Sequence, residues 1–447
     1  MQSFILKKKN IFHFIKNPIL INVFTVGFMT LIVKGMGFYK EMEVGSHFGL
    51  SEILDTFLIA TLIPGFINTV FMSSFQNVFV PNYIAEMRTS STGASFLSAC
   101  VILTFGLGIV LMLVSYLFTD LFLESVFKNH SLQYYHLIRS QFYVVLPCIL
   151  FWSFSSLFSC LLEIKGLFGF SSISSVFTSI VILGCLFFFK NQMGYTLLAI
   201  GMLVGSFLEL AYVLIVSVYK KTLQFAKPNF NSSNIKMIYK QLPSKIGSGF
   251  LTGSTGFVNQ FFAAQLAVGS IASFNYGMKI PSFLATVLVI SIGNVILPYF
   301  SNLVQDNRQK AYRVLYQSIT TVFFTSLIIA AFLFIFSETT ITLLFERGNF
   351  TAQNTLVVSQ IQKIILIYVP FYIATIIIIK FLTSINKNIH MFYASIINLV
   401  LNVILNYYFA KKYGIYGLAI ATTLVYSINF IVLFVFVRYQ QRKDLSL

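Results

Sequence analysis

The chain reads as an all-α polytopic membrane protein. About 12 transmembrane helices form two six-helix bundles, related by a parallel internal repeat around a central cavity. Three observations predict this. The 447 residues are 57% hydrophobic and 10% charged, with a mean hydropathy of +0.84. Apolar runs of about 20 residues, the length a bilayer core requires, follow one another along the chain. The Lys and Arg residues behind the net charge of +17 gather in the short connections between these runs. That placement excludes nucleic-acid binding, which needs a basic face with interleaved aromatics.

Residues 1–18 form a basic amphipathic lead-in, with Lys7, Lys8, Lys9 and Lys16 beside Phe4, Ile5, Phe12 and Phe14. No small-residue cleavage site follows it, so it reads as retained. The N-terminal bundle occupies 19–218, with spans near 19–40, 53–73, 93–118, 137–161, 168–189 and 196–218. A basic linker, 219–240, carries Lys220, Lys221, Lys227, Lys236 and Lys240 among Asn and Ser. The C-terminal bundle occupies 241–437, with spans near 245–266, 271–297, 314–336, 357–382, 389–409 and 415–437, and a polar tail, 438–447, follows. An even number of spans puts both termini on one side. Connections on that side hold Arg88, Lys165, the linker lysines, Arg308, Lys310 and Lys387. The opposite connections hold Glu41, Glu43, Asp120, Glu124, Glu338 and Glu346, with Lys411 and Lys412 as exceptions. The bias places both termini in the cytoplasm.

The repeat shows at paired prolines. Pro64 and Pro81 are 17 residues apart, as are Pro281 and Pro298, and a shift of 217 carries one pair onto the other. IPGFINTVF…VFVPNY parallels IPSFLATVL…VILPYF, with Leu62 opposite Lys279. Six spans per unit make the repeats parallel, and such bundles rock around a shared cavity.

Charges inside apolar spans are costly and mark functional candidates. Lys34 lies deep in the first span, on one stripe with Gly37 and Glu41. It reads either as a cationic site for an anionic substrate or as a lysine snorkelling to the interface. Lys40 and Glu41, nearer the surface, carry the same two readings. Lys279 precedes Pro281 by two residues, where the helix is expected to bend into a cavity. Asp55 opens the second span, as a helix cap or as a charge partner for Lys34 or Lys40. Glu209 sits mid-span with no helix-end explanation, a candidate for ion coupling or a buried partner for a base. Asn68, Gln76, Asn77, Asn259, Gln260 and Asn275 read as interhelical hydrogen-bonding amides. Cys100, Cys148, Cys160 and Cys185 match no metal spacing and read as small buried hydrophobes. With no Walker A, GxGxxG or HExxH pattern and no nucleophile–base constellation, the chain does not read as an enzyme.

The sequence resembles the MurJ/MviN family of lipid-linked saccharide flippases, within the multidrug/oligosaccharidyl-lipid/polysaccharide (MOP) exporter superfamily. GFYKE (37–41), FG (48–49), DTF (55–57), Pro64 and FVP (79–81) follow the family order. IGNVILPYFS (292–301) and LLFERGNFTAQNT (343–355) are similar to two further family segments. The resemblance implies translocation of an undecaprenyl-diphosphate-linked saccharide, lipid II above all, to the outer leaflet of the bacterial inner membrane. It places the family's cavity arginines at Lys34, Lys40 and Lys279, and its acidic partner at Asp55. A fourth arginine falls at Asn68, which joins the lysines as a headgroup-binding candidate, and an acidic residue is lost near Ser73. The family has fourteen spans, two more than are counted here. No cofactor is implied beyond a coupling cation, Na+ or H+, or the membrane potential. Membrane lipids are expected around a monomer, with cell-envelope synthesis enzymes as candidate protein partners. An O-antigen or exopolysaccharide repeat unit is the alternative substrate. A cation-coupled multidrug exporter on the same fold would have an acidic cavity, with Glu209 as its best support. A non-transporting scaffold would be indifferent to loss of the cavity charges.

Overall fold

The structure, a computed structural model, describes residues 18–89, 93–126 and 130–445. The expected lead-in up to residue 17 lies outside the described residues, as do the side chains of Ser73 and Glu124. Among the described residues all regular structure is helical. Contacts divide the chain into two compact units, which do not correspond to a single cut in the sequence. The described part of the N-terminal unit runs to Val44, then 60–89, 93–125 and 130–249. The C-terminal unit takes Gly45–Ile59, Val126 and 250–445.

In the N-terminal unit, helix α1 (Pro18–Phe48) contributes its part up to Val44, and α2 (Glu52–Ile67) its part from Ala60. A π turn, Asn68–Met72, joins α2 to α3 (Ser73–Thr89). Pro64 has no N–H to donate, so the regular hydrogen-bond ladder is interrupted just before the turn. Helices α4 (Ala94–Val126), α5 (Leu132–Val145) and α6 (Cys148–Ile164) follow. Ser131 starts α5 by accepting from the Tyr134 N–H at 3.1 Å. The fifth span is broken into α7 (Phe168–Ile173) and α8 (Val176–Phe188). Short α9 (Lys190–Met193) and a 3₁₀ turn (Gly194–Thr196) lead into α10 (Leu197–Tyr219). The core stacks Phe75, Phe79, Tyr83 and Phe96 against Leu157, Leu161 and Val213.

Helix α11 (Ser233–Ala264) belongs to the C-terminal unit from Phe250 onward. Then come α12 (Ser270–Asp306), α13 (Arg308–Ile335), short α14 (Ser337–Phe345), α15 (Ala352–Leu366) and α16 (Val369–Ser384). The last stretch, α17 (Ile389–Leu445), is two helices joined through a kink at Gly414. It continues through the expected polar tail, where Asp444 accepts from Tyr312 Oη at 2.6 Å and pairs with Arg308 at 3.1 Å. The core packs Phe300 and Tyr312 on Phe381.

Among the described residues, eight stretches are long and apolar enough to cross a membrane. One of them, Ile389–Asp444, carries the Gly414 kink and supplies two of the expected spans. Helices α1, α11 and α12 occupy the three remaining expected positions, outside those eight. The repeat is visible element by element. The shift of 217 carries Glu52–Thr89 onto 269–306, and the helix found there is Ser270–Asp306. It also carries Tyr83 onto Phe300, one core aromatic onto another. Gly194 (φ 53°, ψ −131°) and Gly414 (φ 58°, ψ −134°) turn the chain identically between the last two spans of each half.

Candidate functional site

The first expected site lies on α1. This helix runs eight residues past the expected end near 40, so Lys34, Lys40 and Glu41 all fall inside it. Lys34 is exposed, while Lys40 and Glu41 are half-buried and pair at 2.6 Å. That pair is locally neutral, which concentrates the positive charge of this part of α1 at Lys34. Lys279 is half-buried on α12 in the C-terminal unit. The helix continues through Pro281 and Pro298.

Asp55 is buried, at 2% exposure, and both its carboxylate oxygens are engaged. Oδ2 accepts from the Gly269 N–H at 2.5 Å and Oδ1 from the Ala272 N–H at 2.9 Å. Asp55 therefore caps α12 rather than its own helix, meeting the positive end of that helix with its charge. The same corner of the C-terminal unit is closed by the ERGNF loop. The Asn349 N–H donates to the Ser46 carbonyl at 2.7 Å, and Asn349 Nδ2 to the His47 carbonyl at 2.5 Å. Gly348 takes φ +57° directly against the Ser46 backbone, where a Cβ would collide. FG, DTF and ERGNF, three of the quoted motifs, thus form one interlocked clasp.

The second assembly lies wholly within the N-terminal unit. A cavity of about 210 Å³ is lined by Asn68, Gln76, Trp152, Ser155, Glu163 and Glu209, among others. It brings together three residues singled out in the sequence, Asn68, Gln76 and Glu209. Asn68 is the first residue of the π turn. Glu209 lies opposite the α7–α8 break, where Ser174 Oγ is 3.4 Å from Glu209 Oε1 and 2.9 Å from the Ser171 carbonyl. Ser171 donates to Glu163 Oε1 at 2.6 Å, and Gln76 Nε2 to Ser156 Oγ at 2.6 Å. Sequence reasoning missed Glu163, Ser155 and Ser171. Glu163 sits in the last turn of α6, where a carboxylate draws no notice in the sequence. The available signal was FSSISS (170–175), a serine run inside an apolar span.

The intramembrane amides behave as expected at Asn259. Its Oδ1 accepts from Asn402 Nδ2 and Asn406 Nδ2, both at 2.9 Å, and its Nδ2 donates to Thr422 Oγ1 at 3.1 Å. All four cysteines are buried and free.

Comparison with known proteins bears on the family and the fold. A family model described as "Lipid II flippase MurJ" matches residues 44–446. The "Probable lipid II flippase MurJ" of Buchnera aphidicola subsp. Schizaphis graminum is 29% identical over 439 residues, covering 93% of this chain and 82% of that one. A solved structure of lipid II flippase MurJ in an inward closed conformation matches with a TM-score of 0.80 at 23% identity, covering 92% of this chain and 87% of that one. An inward-facing MATE-family multidrug resistance transporter of the MOP superfamily gives a TM-score of 0.74 at 14% identity, covering 94% and 98%. The two structures show the fold, and the family model over most of the chain shows the family.

Proposed function

The chain belongs to the MurJ family of lipid II flippases, and on that premise we propose that it moves lipid II from the cytoplasmic to the outer leaflet for peptidoglycan synthesis. The match over residues 44–446 carries this reading. It is a transport activity with no chemical transformation. The substrate headgroup carries a diphosphate, and the proposed contacts are Lys34, Lys40 and Lys279, with Asn68 toward the saccharide. A lysine at membrane depth costs about 2.5–3.5 kcal/mol on insertion scales, a cost that an anionic ligand offsets. Lysines offer point charges rather than the bidentate fork of arginine, which suits a diphosphate that must be released. The protein acts as a monomer in the bacterial inner membrane, with both termini cytoplasmic.

Depletion of the protein, followed by mass spectrometry of lipid-linked intermediates, tests the substrate. Lipid II should accumulate; accumulation of a different lipid-linked glycan with lipid II unchanged overturns the assignment. Lys34→Ala and Lys279→Ala should each abolish transport in a protein that still folds. Full transport by both variants would remove these lysines from the site.

A further inference from the structure

We propose that the cavity of the N-terminal unit is a sodium site, with Glu209 as its charged ligand and Glu163, Ser155 and Ser171 completing an oxygen cage. Its lining holds two carboxylates and no basic side chain. The ammonium groups nearest in sequence are committed elsewhere. Lys165 Nζ donates to the Lys221 carbonyl at 2.5 Å, and Lys220 Nζ lies over the Phe170 and Tyr219 rings at 5.2 and 5.3 Å. A half-buried carboxylate in an apolar span needs a positive partner, and no side chain lining this cavity provides one.

Ser155 is the independent sign that something else does. It is 4% exposed and lines the cavity, yet its Oγ has no hydrogen-bond partner among the described residues. Buried hydroxyls in apolar helices ordinarily bond back to a carbonyl one turn earlier, as Ser153 does to Ile149 at 2.5 Å. An oxygen left open beside two carboxylates is a ligand position for a hard cation.

The walls have the form such sites take. Two helix irregularities meet the cavity: the α7–α8 break beside Glu209 and the π turn that begins at Asn68. Broken helices free backbone and hydroxyl oxygens for ions in transporters. The donor set also selects the charge. Two carboxylates, one already accepting from Ser171, with serine hydroxyls around them, suit a monovalent ion better than a divalent one. At about 210 Å³ the cavity also has room for waters that complete the ion's shell.

Coupling of this ion to transport rests on the flippase reading, but the site itself does not, so it is tested without lipid substrate. The full chain in detergent is titrated with 22Na+, and its thermal midpoint is followed as NaCl replaces choline chloride at constant ionic strength. Saturable binding with a sodium-specific rise in midpoint is expected. Glu209→Gln should abolish both. Ser155→Ala, which removes only an unbonded hydroxyl and leaves the fold intact, should weaken binding about tenfold. Equal midpoints in sodium and choline, or parental sodium binding by both variants, overturns the proposal. Neither outcome bears on whether lipid II is the cargo.

Discussion

At the residue scale, Asp55 separates what a motif looks like from what it does. Its place in the family pattern and at a helix start left two readings open, a cap or a gating charge. Its oxygens are held by the Gly269 and Ala272 N–H groups, 214 and 217 positions away. No local pattern announces a contact of that range. The distinction is testable because Asn keeps one of the two accepting oxygens and loses the charge, whereas Ala keeps neither oxygen. Asp55→Asn should keep transport near the parental level, and Asp55→Ala should lower unfolding stability by about 2 kcal/mol, read as a loss of midpoint and of folded yield. Loss of transport in a stable Asp55→Asn variant would instead favour the gating role. Glu209 went the other way: its mid-span position marked it in the sequence, and the structure surrounds it with hydroxyls. Glu163 stayed hidden because a carboxylate at a span end has an ordinary explanation.

At the element scale, apolar periodicity and paired prolines made the spans and the repeat legible. They did not reveal where helices break. Pro64 leads into a π turn, whereas Pro281 lies in a helix assigned without interruption, so the same residue at the same repeat position gives two outcomes. The Gly194 and Gly414 turns are the clearest repeat landmark, and both occupy a region of φ/ψ space that costs a side chain about 1–3 kcal/mol. An added Cβ would meet nothing within 4 Å at either position, so the penalty there is conformational rather than steric. Gly194→Ala and Gly414→Ala should therefore each destabilise by about 1–3 kcal/mol. Gly184→Ala, inside α8 with equally open surroundings, should be neutral or stabilising by about 0.5–1 kcal/mol. Thermal midpoints of the three variants, compared side by side, decide this.

At the scale of the whole molecule, the distribution of basic connections predicts a topology that can be read chemically. The native cysteines are 0–7% exposed, so an impermeant maleimide finds little background. Lys227→Cys, exposed in the linker, should label only from the cytoplasmic face, and Glu338→Cys, exposed at the start of α14, only from outside. Reversed labelling would invert the topology. The division into units was less legible than the span count, because residues 45–59 lie early in the chain yet pack with its second half. That clasp also imposes an order on biosynthesis. Translation proceeds at about 5–20 residues per second, so the 214 positions between Asp55 and Gly269 correspond to an interval of about 10–40 s. For that time a buried-type carboxylate waits in the nascent chain without its partner, and the later half of the protein cannot finish folding from its own residues alone.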